Sequence, residues 1–107
     1  MMDTAWAQRY EAGLNSPAGL ELSRRNELGA TCFGGMFLAS VAGQGSITTA
    51  LLSQVARDQA RRGDIAGSRI PRDHGSTQNN AAWFTIGLRQ KSTSACDTWQ
   101  APPNSVA

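Results

Sequence analysis

The stretch from Ser16 to Ala42 reads SPAGLELSRRNELGATCFGGMFLASVA, and it decides the fold. Ser16 has a side chain that accepts hydrogen bonds from the first free amides of a helix. Pro17 follows, and its fixed φ suits the first helical turn. Apolar side chains then recur along the stretch with the spacing of a helix. The pattern predicts one long central helix over residues 17–42.

Shorter helical patterns lie on both sides of this helix. They predict a first helix from Asp3 or Thr4 to about Tyr10–Ala12, a third from Ile47 to about Arg62, and a fourth from Ser76 to about Leu88. Residues 64–75 show no periodicity, which is typical of an irregular loop. The sequence therefore predicts an all-α fold of about four helices. We expect a single helical domain over residues 1–99, followed by a flexible tail at 100–107.

Charge and hydropathy exclude two classes of partner. The net charge of +2 is too small for nucleic-acid binding, which needs several cations acting together on the phosphates. The basic doublets Arg24-Arg25 and Arg61-Arg62 are better explained as a solvated helix face or a helix end. No apolar run approaches the roughly 20 residues of a membrane helix. The sequence also opens without the basic and apolar regions of a signal peptide.

Five short segments are more specific than the composition. They are NELGATCFGG at 26–35, GD at 63–64, HGS at 74–76, WFTIG at 83–87 and ACDT at 95–98. In this order they resemble the C-terminal half of the neutral zinc metallopeptidases, whose motifs read E-L-Q-A-D-C-F-A-G, G-D, H-G-S, W-F-x-x-G and A-C-D-T. The resemblance runs from about Ser23 to Trp99. Five motifs in order are much harder to obtain by chance than any one of them.

The resemblance assigns roles to two residues of the long helix. Glu27 corresponds to the family's third zinc ligand, and a hydrolytic zinc site uses three protein ligands and leaves a fourth position for water. Thr31 stands one helical turn later, where the family has an acidic residue that can orient a zinc-bound histidine from outside the ligand set. A hydroxyl brings no charge, so a more weakly tuned site is implied.

The two histidine ligands of the family are absent. No H-E-x-x-H occurs, and the sequence contains a single histidine. We therefore expect this chain to begin just after the missing helix, with residues 1–10 as the segment that follows it. The expected function is that of the C-terminal portion of a zinc-dependent peptidase acting on peptides or proteins, inactive as this chain alone. The alternative is a non-catalytic helical binding module or pseudoenzyme remnant, with Trp6, Phe33 and Phe37 lining its groove.

His74 has two interpretations. As a functional residue it is a donor near the cleft that stabilises the oxyanion formed when water attacks a peptide carbonyl. As a structural residue it belongs to the loop that starts the fourth helix, with Ser76 as the cap. The sequence favours the structural interpretation, because helix-start chemistry explains Gly75 and Ser76 and nothing places His74 near Glu27.

The two cysteines also allow alternatives. Cys32 and Cys96 would be thiols in a reducing compartment and a disulfide in an oxidising one. Zinc binding by the pair is less favoured, because neither has a second ligand at a recognised spacing. The resemblance implies a disulfide and an extracytoplasmic protein, secreted or membrane-anchored, since both cysteines fall within family motifs.

Overall fold

Three α-helices and two short 3-10 turns make up the regular structure in the computed structural model, which describes residues 13, 15–45, 48–64, 71–90 and 92–107. They are α1 (Pro17–Val41), α2 (Thr49–Ala60) and α3 (Thr77–Gln90), followed by η1 (Thr93–Cys96) and η2 (Pro103–Ser105). The all-α prediction is confirmed, and the described ranges contain no strand, only an isolated bridge between Asp64 and Ser76. They hold three α-helices rather than about four. The predicted first helix, over residues 3–12, lies outside the described residues.

Helix starts follow the predicted chemistry. The Ser16 side chain accepts from Gly19 N at 3.0 Å at the start of α1, and Ser76 Oγ accepts from Asn79 N at 3.1 Å at the start of α3. Thr48 caps α2, and its side chain accepts from Leu51 N at 3.1 Å. The predicted start of α2 at Ile47 lies outside the described residues. No described helix has the length and apolar character needed to cross a membrane.

Two glycines bring α1 and α3 into close contact. A Cβ built on Gly35 would overlap the carbonyl oxygen of Phe84, and one built on Gly87 would overlap the carbonyl oxygen of Cys32. Larger side chains at these positions would push the helices apart. The contact encloses a small buried core made of Leu28, Cys32, Trp83, Phe84, Cys96 and Val106.

The predicted solvated face of α1 is wrong at Arg25. Its residue exposure is 8%, and its guanidinium lies against backbone carbonyls from the chain that follows η1. Phe37, in contrast, is an apolar residue of the same helix with 64% of its surface exposed. Helical spacing alone does not predict the burial of these two residues. A segment distant in the sequence covers Arg25, whereas no described segment covers Phe37.

The segment predicted as a flexible tail is packed in the structure. Val106 is fully buried, and its carbonyl oxygen accepts from Arg24 Nε at 2.9 Å. Trp83 Nε1 donates to the carbonyl oxygen of Ser105 at 2.8 Å, and Ser76 N donates to that of Ala107 at 2.9 Å. The tail is therefore part of the domain, and the boundary after residue 99 has to be corrected.

Candidate functional site

Glu27 is an exposed residue at the edge of a cleft between α1 and the segments around α2 and α3. The cleft has a volume of about 340 Å³. Within the described ranges, the Glu27 carboxylate makes no hydrogen bond or ion pair. The residues that line the cleft come from all three helices and the loop between α2 and α3: Glu27, Ala30, Thr31, Gly34, Gln59, Arg62, Gly63, His74 and Asn80.

Three residues that the sequence singled out therefore meet in one place. Glu27 and Thr31 lie one turn apart on α1, and His74 reaches the cleft from the loop that precedes α3. The sequence contained no signal that placed His74 near Glu27. The other polar lining residues, Gln59, Arg62 and Asn80, were not predicted as site residues, since none of them lies within one of the five motifs.

Side chains of α1 hold the loop that carries His74 through hydrogen bonds to its backbone carbonyl groups. Ser23 Oγ donates to the carbonyl oxygen of Asp73 at 3.1 Å, and Arg24 Nη1 donates to that of Arg72 at 2.8 Å. Gly75 is buried against Leu28, and a Cβ at this position would come within 2.9 Å of the leucine side chain. Because Leu28 follows Glu27 directly, this contact holds the loop beside the candidate zinc ligand.

Asp64 holds the same loop from the other end. Its side chain is only 7% exposed, and Oδ2 accepts from Gly75 N at 2.7 Å and from His74 N at 3.2 Å. The backbone adds a bond from Asp64 N to the carbonyl oxygen of Gly75 at 2.7 Å. The carboxylate is thus occupied by the amides that precede α3, which explains structurally why an aspartate stands here.

The imidazole of His74 lies beside a second carboxylate. Nδ1 is 2.5 Å from Asp73 Oδ1 and 3.8 Å from Asp64 Oδ1. Asp73 was not predicted as a site residue, although its position next to the only histidine was a usable signal. The ring itself remains 59% exposed. His74 is therefore both part of the helix-start loop and a lining residue of the cleft.

Thr31 makes a direct contact that differs from its predicted role. Its Oγ1 donates to Asn80 Oδ1 at 3.0 Å, and Asn80 Nδ2 donates to the carbonyl oxygen of Gln59 at 2.6 Å. This chain of bonds joins α1, α3 and the end of α2 along the floor of the cleft. The Thr31 hydroxyl still has lone pairs that can accept a further bond.

One cluster of side chains and one separate carboxylate, that of Glu27, offer oxygen or nitrogen atoms to a metal ion. Asp64, Asp73 and His74 have ligand atoms within 4.8 Å of one another, but the Asp64 oxygen atoms already bind amides. Glu27 is an exposed carboxylate that lines the cleft. A carboxylate of this kind is one of the side chains that can serve as the third ligand of a zinc site. The single histidine cannot complete a site of two imidazoles and one carboxylate.

The predicted disulfide is confirmed. Cys32 on α1 is joined to Cys96 at the end of η1, with Cα atoms 5.5 Å apart, and both residues are buried. Neither sulfur is then a thiolate available to bind zinc. The bond ties η1 to the centre of the long helix, on the side where Gly29 packs against Thr98.

Comparison of the sequence with models of protein families, with characterised proteins and with solved structures gives no match.

Proposed function

We propose that the cleft is one part of a hydrolytic zinc site of the neutral metallopeptidase type, in which Glu27 is the third protein ligand. The observation that carries this proposal is that Glu27, Thr31 and His74 line one cleft. Glu27 and Thr31 belong to one motif and His74 to another, and the whole of α2 lies between the two motifs in the sequence. The two imidazole ligands would come from outside this sequence, which has a single histidine.

The geometry suits a carboxylate ligand at Glu27. The side chain is exposed and unpaired within the described residues, so it can bind a cation without first breaking an internal ion pair. When bound, zinc would activate a water molecule and polarise the carbonyl group of a peptide or protein substrate. Arg62 and His74 line the same cleft and would face the substrate. Thr31 would stand beside the ligands, though its own proton is given to Asn80.

The disulfide supports an extracytoplasmic location for such an enzyme. Disulfides persist in oxidising compartments and are rare in the cytosol. The Cys32–Cys96 bond is buried within the core and so belongs to the folded domain.

Paramagnetic Co²⁺, used as a substitute for zinc, tests the assignment of Glu27 on this chain alone. We expect weak binding that broadens the amide resonances of the cleft in NMR spectra. The broadening should be lost in Glu27→Gln and retained in Asp58→Asn, a matched removal of an exposed carboxylate on α2. Broadening centred on Asp64 and Asp73, or unchanged in Glu27→Gln, would contradict the proposal.

A peptidase assay tests the reaction itself. The isolated chain should cleave no peptide, whereas a longer chain from the same reading frame that contains H-E-x-x-H should do so with zinc. In that longer chain Glu27→Gln should abolish cleavage. A reading frame without the two histidines would remove the basis of the proposal.

A helical binding module is the second candidate, and the exposed apolar part of α1 favours it. Phe33, Met36, Phe37 and Ser40 line a groove of about 400 Å³, and Phe37 is 64% exposed. Trp6, the third predicted lining residue, lies outside the described residues. Exposed apolar patches often mark partner sites. Under this hypothesis Phe37→Ser abolishes partner binding, whereas Glu27→Gln leaves it unchanged.

A further inference from the structure

Asp73 Oδ1 is a buried carboxylate oxygen atom that lacks a hydrogen-bond donor among the described residues. Within the described residues it forms no conventional hydrogen bond, and His74 Nδ1 lies 2.5 Å from it. A buried carboxylate oxygen requires a donor, because leaving it unpaired costs about 1–3 kcal/mol. The imidazole can satisfy it only if Nδ1 carries a hydrogen atom.

The second carboxylate does not compete for this role. Asp64 Oδ1 is 3.8 Å from Nδ1, which is beyond hydrogen-bond distance. The Asp64 oxygen atoms accept from the His74 and Gly75 amides instead. The two aspartates therefore differ: Asp64 binds the backbone at His74 and Gly75, and Asp73 Oδ1 lies against the ring.

The opposite ring nitrogen is then the atom that meets a ligand. His74 lines the cleft and is 59% exposed, and in the described part of the chain Nε2 has no hydrogen-bond partner. We propose that Asp73 is a positioning residue that fixes the proton on His74 Nδ1, so that Nε2 is the ring atom presented to the carbonyl oxygen of a bound peptide. The orientation of the ring stands by itself, while its use on a peptide rests on the proposed function.

The chemistry of Nε2 follows from this arrangement. Under this proposal Nδ1 carries a proton in both forms of the ring, so the two forms differ only at Nε2. The neutral imidazole presents an acceptor to the cleft, and the imidazolium presents an N–H donor. Only the imidazolium can stabilise an oxyanion formed at a peptide carbonyl.

The test uses the fact that the chain has one histidine. In ¹⁵N-labelled protein, at a pH where the ring is neutral, long-range ¹H–¹⁵N correlation spectra identify the protonated nitrogen without further assignment. We expect Nδ1 at the protonated position and Nε2 at the unprotonated position. Asp73→Ala should abolish this bias, and Asp73→Asn should retain part of it, because an amide oxygen still accepts from Nδ1–H.

The control is Asp58→Ala, which removes an exposed carboxylate from α2 and should leave the ring spectrum unchanged. The backbone amide spectrum of each variant reports whether it folds, and Asp73→Asn serves if Asp73→Ala does not. A wild-type ring protonated at Nε2 would overturn the proposal. An Asp73→Ala or Asp73→Asn spectrum identical to that of the wild type, in a folded protein, would also overturn it.

Activity provides a separate readout for the peptide half of the proposal. In a zinc-loaded longer chain, Asp73→Ala should lower kcat about 10- to 100-fold, as loss of a residue that orients a catalytic group does, with little change in KM. An unchanged kcat would overturn this half. If every longer chain that contains H-E-x-x-H fails to cleave peptides, the proposed function fails. The NMR spectra still decide the position of the ring proton in that case.

Discussion

Arg25 and Thr98 bind each other through two reciprocal hydrogen bonds. Arg25 Nη1 donates to the carbonyl oxygen of Thr98 at 2.6 Å, and Thr98 Oγ1 donates to the carbonyl oxygen of Arg25 at 2.5 Å. Nη1 also donates to the carbonyl oxygen of Ala101 at 2.8 Å. Thr98 is fully buried and Arg25 is 8% exposed. The pair therefore holds the segment after η1 against α1 from inside the protein.

Arg25→Met should lower the free energy of unfolding by about 1–3 kcal/mol, because the carbonyl oxygen atoms of Thr98 and Ala101 would lose a charged donor within the protein. Urea denaturation measures the change. Arg89→Met, on an exposed residue in the last turn of α3, should change the stability by less than about 0.5 kcal/mol. Equal losses in the two variants would mean that burial of the Arg25 guanidinium contributes nothing specific.

Local signals in the sequence predicted the helices well. Ser16 followed by Pro17 gives a start that depends on no distant contact, and the structure begins α1 at Pro17. The burial of Arg25, in contrast, could not be predicted from local signals. Its helical position does not distinguish a solvated side chain from one enclosed by a distant turn. The sequence pattern could not show that residues 98–101 would bring their carbonyl groups to it.

The candidate site also has one part that the sequence predicts and one part that it does not. Glu27 and Thr31 share a face of one helix, so their proximity follows from the helical period. The approach of His74 depends on bonds from Ser23 and Arg24 to backbone carbonyl groups of the loop. Backbone acceptors are present at every residue, so no sequence pattern marks the ones that are used. The ring contact with Asp73 is local and could have been predicted.

Gly34 and Gly35 are adjacent but should respond oppositely to alanine. A Cβ on Gly34 would have no contact within 4 Å, so Gly34→Ala should raise the free energy of unfolding by about 0.5–1 kcal/mol through helix propensity. A Cβ on Gly35 would overlap the Phe84 carbonyl group, so Gly35→Ala should lower it by about 1–3 kcal/mol through overpacking. Thermal or urea unfolding of the two variants compares them directly. Stabilisation by both substitutions would contradict the close contact between α1 and α3.

Reduction of the Cys32–Cys96 disulfide should lower the free energy of unfolding by about 4 kcal/mol in the chain-entropy model, because it joins residues 64 apart in the sequence. This is a large share of the total stability of a small domain. Denaturation with and without a thiol reductant measures it. The double variant Cys32→Ala/Cys96→Ala should be as unstable as the reduced protein and insensitive to the reductant. A wild-type midpoint unaffected by reduction, with the thiols shown to be free, would contradict the prediction.

Val106→Ala tests whether residues 100–107 belong to the packed domain. Val106 is fully buried in the core with Leu28 and Trp83. Removing two methyl groups from such a position should lower the free energy of unfolding by about 1.5 kcal/mol or more, at about 0.8 kcal/mol for each buried carbon. Val55→Ala on the partly exposed face of α2 is the matched control, and its effect should be clearly smaller. If the segment were detached from the core in solution, Val106→Ala would leave the denaturation midpoint unchanged, because the side chain would be solvated in both the folded and the unfolded states.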